Sequence, residues 1–382
     1  MRTSTKTIMM IAGEASGDSH GSKLVQSIQQ KDPHIEFIGL GGDQMREAGV
    51  SLYFHLNDLS VVGITEVFAR SSGIFSGLRT AKNMLRTLNP DLLVLIDYPD
   101  FNMIVARTAK NLGIPVLYYI SPQVWAWRSG RVKKIRRYVN HMAVILPFEA
   151  DFYRKHGVPV TYVGHPLLEY PAMPVVDNKT SKNEITIGLL PGSREGEINS
   201  LLPMMVQSAD YLAGDFKAVH FLIPRAPTIK YDHIKSILDR QSLKNSPHIN
   251  IVDMHARQVD QQSDLVIVAS GTATLEAALT ETPMIIVYKI SPVSFHLGKM
   301  LINVPHIGLA NLVAGQRVVP ELIQNDATPK KIYETACTLL NNPLTMNKVR
   351  RKLKFIRQRL GAPGASDRTA DIALRLLKNN CL

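Results

Sequence analysis

The sequence predicts an α/β protein of two Rossmann-like, doubly wound domains facing a cleft, followed by a helical C-terminal tail. Three observations predict it. Short apolar runs alternate with helical patterns from end to end, which is the pattern of βαβ units and parallel sheets. The alternation lapses into Pro, Ser, Lys and Asn around Pro171 to Asn183 and then restarts, so the two halves resemble each other in plan. A chain of 382 residues is also too long for one ordinary domain.

In the first half, apolar runs place strands at Thr7–Ala12, Glu36–Gly39, Leu92–Ile96, Val116–Ile120, His141–Leu146 and Thr161–Val163. Helical spacing places helices at Ser19–Gln30, Gly73–Leu88, Asn102–Leu112 and Ala150–His156. Gly113-Ile114-Pro115 stops one helix and lets Pro115 open the next strand. After the linker, strands are expected at Ile185–Leu190, Val219–Ile223, Asn250–Val252, Leu265–Ala269 and Met284–Val287. Helices are expected at Glu195–Leu212, Ile229–Leu238 and Ala273–Leu279, and Pro329 to Leu382 reads as consecutive helices. The domains are therefore 1–170, a linker 171–183, 184–345, and C-terminal helices 346–382 packing back on the first domain or on a second subunit.

Composition narrows the function classes. Hydrophobic content of 45% with 20% charged residues is that of a globular chain and excludes disorder. Cys337 and Cys381 cannot build a disulfide framework or a metal quartet, which fits a reducing cytosol. The apolar run Ile8 to Ala12 ends before Glu14, too short for a signal peptide. No run approaches the ~20 apolar residues that cross a bilayer, so a soluble or peripheral protein is expected.

A net charge of +12 calls for an anionic partner: nucleic acid, anionic lipid or a phosphorylated substrate. The cations cluster at Arg128–Arg137 and at Arg350–Arg359, where solvated helix faces are the alternative reading. Neither an aromatic-rich RNA-binding signature nor a helix-turn-helix pattern is present, which disfavours nucleic acid.

Four motifs carry chemistry. Gly13, Glu14, Ser16, Gly17 and Asp18 follow the first strand, where small residues admit a ligand close to the backbone at a helix N-terminus. The spacing is not the G-x-G-x-x-G dinucleotide fingerprint, and a plain turn capped by Ser16 or Asp18 is the alternative. Asp97 ends a central strand, where a carboxylate points into the cleft and can serve as a base. Asp100 is expected to cap the next helix.

Gly192, Ser193 and Arg194 join the first strand of the second domain to its helix and suit a diphosphate. Ser270, Gly271 and Thr272 repeat that design, with Glu276 one turn on, placed for ribose hydroxyls or for a capping box with Thr272. No D-x-D motif is present, and no metal or other cofactor is expected.

With Ser121-Pro122-Gln123-Val124-Trp125-Ala126-Trp127-Arg128, Leu146-Pro147-Phe148-Glu149 and Val163-Gly164-His165-Pro166, these motifs resemble the lipid-A-disaccharide synthase family, glycosyltransferases of GT-B type. The resemblance runs in order from Gly13 to about Pro320. Asn311-Leu312-Val313-Ala314-Gly315 looks like a family loop, with Ala310 where the family often has proline. The resemblance implies UDP-2,3-diacylglucosamine as donor and 2,3-diacylglucosamine 1-phosphate (lipid X) as acceptor. It further implies a β-1,6 bond formed with inversion, release of UDP, and work at the inner face of the bacterial inner membrane. Asp97 would be the base, Arg194 and the 270–274 loop would stabilise the leaving diphosphate, Glu276 would hold the ribose, and Asn311 the diphosphate or sugar. A homodimer with exchanged C-terminal segments is also implied.

An acylated substrate lies in a bilayer, and Ile64, Val67, Phe68, Ile74 and Phe75 are the expected membrane or acyl contacts, with Arg79, Lys82 and Arg86 for anionic head groups. Leu78, Ala81, Leu85 and Leu88 are expected to be core. A UDP-sugar 2-epimerase and a transferase with a polyprenyl-linked acceptor share the fold and are the competing readings.

Overall fold

The computed structural model describes residues 5–59, 66–126, 129–170, 184–289 and 304–379. The chain forms two compact units: Met1–Tyr170 with Leu360–Leu382, and Pro171–Arg359. The expected linker, 171–183, lies outside the described residues.

Unit 1 runs β1 (Thr7–Ala12), α1 (Ala15–Lys31), β2 (Glu36–Gly41), α2 (Asp43–Glu47), β3 (Val50–His55), α3 (Leu56–Leu59), α4 (Glu66–Thr87), β4 (Leu92–Ile96), α5 (Pro99–Asn111), β5 (Val116–Tyr119), α6 (Val132–Tyr138), β6 (His141–Val144), α7 (Pro147–Lys155) and β7 (Val160–Tyr162). Among the described residues its sheet has seven strands in the order β3-β2-β1-β4-β5-β6-β7, and every pairing is parallel. β4, Leu-Leu-Val-Leu-Ile, is buried along its whole length, as a parallel strand covered on both faces must be. β3 was not expected. It is an edge strand with Ser51 and Tyr53 exposed and an apolar run of only three residues, Leu52 to Phe54, so its pattern is weak.

Unit 2 runs β8 (Ile185–Leu190), α8 (Glu195–Asp215), β9 (Val219–Pro224), α9 (Tyr231–Asp239), β10 (His248–Val252), α10 (Ala256–Gln262), β11 (Leu265–Ala269), α11 (Ala273–Leu279), β12 (Met284–Tyr288), α12 (Leu309–Ala314), β13 (Glu321–Ile323), α13 (Pro329–Leu340) and α14 (Pro343–Arg359). Its described strands form a six-stranded parallel sheet in the order β10-β9-β8-β11-β12-β13. The core gathers Phe221, Ile267, Ile285 and Met205 between sheet and helices. Each such side chain, fully buried, contributes ~1.5–3 kcal/mol.

The C-terminal helices divide between the units. α14 stays with unit 2, and the chain re-enters unit 1 at Leu360 rather than at 346. The last helix, α15 (Ala365–Asn379), packs along α1. Lys31 pairs there with Asp367 at 3.0 Å and Asp371 at 2.7 Å. The backbone N–H and hydroxyl of Ser366 both donate to the Glu169 carboxylate, at 2.6 and 2.8 Å.

Three smaller expectations change. Asp100 is not a cap, because α5 opens at Pro99 and the Asp100 carboxylate pairs with Arg131 at 2.7 Å. Leu88, expected as core, is 41% exposed where α4 ends. Residues 309–314 form a helix where a loop was expected. No helix among the described residues is long and apolar enough to cross a membrane.

Candidate active site

In an open doubly wound sheet, ligands sit outside the carboxyl ends of the strands, where the strand order reverses. In unit 1 that point lies between β1 and β4, in unit 2 between β8 and β11. The four predicted motifs follow those four strands. Chain order alone thus brings Gly13–Asp18 beside Asp97 in unit 1, and Gly192–Arg194 beside Ser270–Glu276 in unit 2.

The carboxyl edge of unit 1 is strained. Asp97 and Tyr98 both adopt φ +46°, and Ile120, past the end of β5, adopts φ +63°. Left-handed backbone at non-glycine residues costs on the order of 1–3 kcal/mol each and persists only where neighbours over-determine it. The neighbours here are specific. The Tyr118 hydroxyl donates to the Asp97 carbonyl at 2.6 Å, and the Asn102 amide donates to it at 2.7 Å and to the Ile96 carbonyl at 3.2 Å. The Asp97 N–H reaches the Tyr119 carbonyl at 3.2 Å. These bonds fix the backbone and leave a half-buried carboxylate at the strand's end.

Gly13 is required by the same edge, since a β-carbon there would overlap the Tyr98 ring and lie 2.8 Å from its Cβ. Glu14 and Ser16 are exposed, and neither caps α1. Gly17 is buried against Ala12 and Ile96. Asp18, grouped with the ligand loop by sequence, has a structural task. Its carboxylate accepts the N–H groups of Gly42, Gln44 and Met45 at 2.7, 3.0 and 3.1 Å and so caps α2.

The loop after β5 is pinned by a residue of the Leu146-Pro147-Phe148-Glu149 motif to which the sequence assigns no role. Glu149 is buried, accepting the Trp125 indole N–H at 2.9 Å on one oxygen and the Leu146 and Ile145 N–H groups at 2.9 and 3.2 Å on the other. Trp125 stands edge-on to Phe148 with centroids 4.7 Å apart, and Ser121 shares a 2.6 Å hydrogen bond with the Tyr153 hydroxyl. Burial pushes the Glu149 carboxyl up to about 7, against the opposing pull of its N–H donors. Nearby, His20 and His165 are held neutral: burial lowers them to about 4 and about 3, helped by Lys23 for the first and by His20 for the second.

In unit 2, Gly192 adopts φ +112°, and a β-carbon there would collide with Glu197, so the position requires glycine on both counts. Glu197 folds back on the start of α8, where one carboxylate oxygen accepts the Ser193 N–H at 3.1 Å and the other lies 3.5 Å from Arg194. The Arg194 side chain, paired in this way, is 69% exposed. In the second loop, the Ser270 hydroxyl donates to the Ile307 carbonyl at 3.1 Å and its N–H to the Val287 carbonyl. Ser270 therefore braces the loop, while the space beside Gly271 is open and Thr272 is exposed.

Glu276 is no capping-box partner, since the Thr272 side chain makes no cap. Its buried Oε2 accepts no hydrogen bond and lies 3.7 Å from His255 Nδ1. Burial raises its carboxyl, with His255 and Arg257 pulling the other way. Asp260 backs it with both oxygens unpartnered, and burial first, then Glu276, pushes that carboxyl well above the ordinary range. A carboxylate with one oxygen short of a donor, close to a switch point, suits a ligand hydroxyl.

Asn311 corrects the sequence reading. It is fully buried, and its amide donates to the Val319 carbonyl at 2.9 Å and to Glu321 at 2.8 Å. Its oxygen accepts the Val318 and Val319 N–H groups at 2.7 and 3.0 Å. Glu321 also accepts from Ile307 and Gly308, at 3.1 and 3.0 Å. With all four hydrogen-bonding positions of its side chain occupied, Asn311 ties α12 to β13 and has none left for a diphosphate or a sugar.

Of the expected membrane contacts, Ile64 lies outside the described residues, as do the side chains of Val67 and Phe68. Phe75 is 70% exposed, and Ile74 is half-buried against the unit 1 core. A groove lined by Tyr53, Ser76, Arg79, Asn83 and Arg86 runs along the same helix.

The missed residues differ in legibility. Glu149 carried a signal, Pro147 at a helix's first position with Glu two residues on. Tyr118 and Asn102 were hidden inside elements read only for their apolar pattern. Glu321 meets partners 10 to 14 residues away through a fold that local pattern does not reveal.

Comparison with known proteins bears on this arrangement. A family model described as lipid-A-disaccharide synthetase matches residues 8–373. The chain is 44% identical to the lipid-A-disaccharide synthase of Syntrophus aciditrophicus, over 98% of this chain and 99% of that one. Among solved structures, a glycotransferase of kitacinnamycin superposes with TM-score 0.67 at 15% identity, covering 98% of this chain and 99% of that one. The UDP-GlcNAc 2-epimerase of Neisseria meningitidis, bound to UDP-GlcNAc, superposes with TM-score 0.64 at 13% identity, covering 97% and 99%. At such identities the two structures speak for the fold alone.

Proposed function

From the premise that the chain belongs to the lipid-A-disaccharide synthetase family, we propose that it joins UDP-2,3-diacylglucosamine to 2,3-diacylglucosamine 1-phosphate by an inverting β-1,6 transfer. Asp97 takes the proton of the acceptor 6-hydroxyl as that oxygen attacks the donor's anomeric carbon. The new C–O bond forms on the face opposite the breaking bond to the diphosphate, so the anomeric centre inverts and UDP departs. Arg194, the start of α8 and the Gly271–Thr272 backbone stabilise the charge that gathers on the diphosphate, and the Glu276 carboxylate accepts from the ribose.

One observation carries the catalytic assignment. At the unit 1 switch point, Asp97 is the carboxylate whose backbone is held in a strained conformation by side chains from β5 and α5. An epimerase of the same fold is the alternative, and the family match over residues 8–373 favours transfer. The test is direct: incubate the purified chain with both acylated sugars and resolve the products. Disaccharide 1-phosphate with equimolar UDP supports the reading, and an epimerised UDP-sugar without disaccharide overturns it.

We further propose that the enzyme works at a bilayer, on the inner face of the bacterial inner membrane, because the proposed substrates carry acyl chains. Exposed Phe75 with the neighbouring Arg79 and Arg86 supports this reading, since an apolar rim beside cations suits the headgroup region. A homodimer exchanging α15 would remake the Glu169–Ser366 and Lys31–Asp371 contacts between chains.

A further inference from the structure

α14 buries Met346, Val349, Leu353 and Ile356 along one stripe. At 100° per residue the opposite stripe is Leu344, Lys348, Arg351 and Phe355, spaced i, i+4, i+7 and i+11. Leu344 is 83% exposed and Phe355 48%, with Lys348, Arg351 and Lys354 exposed between and beside them. The helix carries seven cations and no carboxylate.

An ordinary solvated helix mixes signs. α13 sets Lys330 4.0 Å from Glu334 one turn away, and Lys31 of α1 meets two aspartates of α15. Among the described residues, Lys348, Arg351 and Lys354 have no carboxylate within 4.0 Å. Like charges one turn apart destabilise an isolated helix, so this face stands against its own repulsion with two large apolar groups in it.

We propose that the outward face of α14 is a docking surface for an anionic phospholipid bilayer. Charge complementarity selects the occupant. Phosphodiester headgroups neutralise the cations, whose long stems let the charges ride at headgroup depth while Phe355 and Leu344 enter the acyl boundary below. Leu344 and Phe355 stand about 16 Å apart along the axis, a span of several headgroups. The Arg359 guanidinium, 5.8 Å from the Phe355 ring, belongs to the same belt. A nucleic-acid duplex, or a peptide of acidic residues alone, would match the cations but gives an 83%-exposed leucine nothing to bury against. The proposal rests on the reading that the substrates are bilayer lipids, and it needs nothing from α4.

The test is co-sedimentation of the purified full-length chain with phosphatidylcholine vesicles, with and without phosphatidylglycerol, at low and high salt. The variants are Lys348→Glu/Arg351→Glu/Lys354→Glu and Leu344→Ser/Phe355→Ser, each checked for native circular dichroism. The charge variant is expected to lose at least about tenfold in affinity for the anionic vesicles, with a weaker salt dependence than the wild type. The apolar variant is expected to lose several-fold while keeping its salt dependence. Both should transfer sugar normally on detergent-dispersed substrates. Unchanged partition of both variants overturns the proposal. So does a charge variant that turns a dimer into a monomer by light scattering while still binding vesicles, since that assigns the face to a second copy. Salt-sensitive vesicle binding by a protein with no transfer activity would defeat the enzymatic reading and leave this one standing.

Discussion

The indole N–H of Trp125 ends on the buried carboxylate of Glu149, 2.9 Å away, so the turn after β5 and the turn after β6 are closed by one bond. Both Glu149 oxygens act as acceptors, the geometry of an ionised carboxylate, while burial favours the protonated form. The folded-state pKa is raised, from 4.5 to about 7. The stabilisation therefore belongs to the protonated form, is fully present below about pH 4.5 and is lost as pH rises through about 7. Glu149→Gln should remove that component. Thermal unfolding across pH 5 to 8 should give a flatter stability curve than wild type, the difference on the order of 3 kcal/mol. Equal slopes would show that Glu149 does not titrate there.

Gly13 and Tyr98 form a second obligatory pair. Gly13→Ala should destabilise unit 1 by ~1–3 kcal/mol and lower turnover, because the Tyr98 ring must move and Asp97 is its neighbour. Gly13→Ala/Tyr98→Ala should recover part of the stability. Additive losses in a denaturant double-mutant cycle would refute the coupling.

Asn311 and Arg194 separate scaffold from ligand contact in unit 2. Asn311→Ala leaves the Val318 and Val319 N–H groups and the Val319 carbonyl without their Asn311 partner, a loss of roughly 2–4 kcal/mol, with UDP affinity unchanged in the folded fraction. Arg194→Ala should leave stability alone, since the side chain is 69% exposed, and weaken UDP binding by about tenfold or more. Calorimetry showing the opposite assignment would reverse the two roles.

Much of this was legible before the fold was seen. The candidate ligand turns follow fully buried strands such as β4 and β11, whose apolar runs are unmistakable. The position of Asp97 follows from the end of such a run. What escaped depends on pairing across the sequence. Asp18 reads as a loop acid until α2 is seen to rest on it, and Asn311 reads as a ligand until β13 takes up its amide. β13, three residues long, is too short to show a period. The conformations of Asp97 and Ile120 are set by tertiary hydrogen bonds and packing that local propensity does not contain.

Phe75, 70% exposed on α4, predicts a surface effect without a folding cost. Phe75→Ser should loosen the protein from bilayers and raise the apparent KM for the acylated acceptor, leaving UDP affinity and melting temperature in place. A melting temperature several degrees lower would return Phe75 to the core.

The central claim is that Asp97 is the base. The most direct measurement is the turnover of Asp97→Asn with both acylated sugars, beside UDP affinity and circular dichroism of the same preparation. The account predicts turnover lower by about 10²–10⁴-fold with native fold and unchanged UDP affinity. Near-normal disaccharide formation by that variant would contradict it.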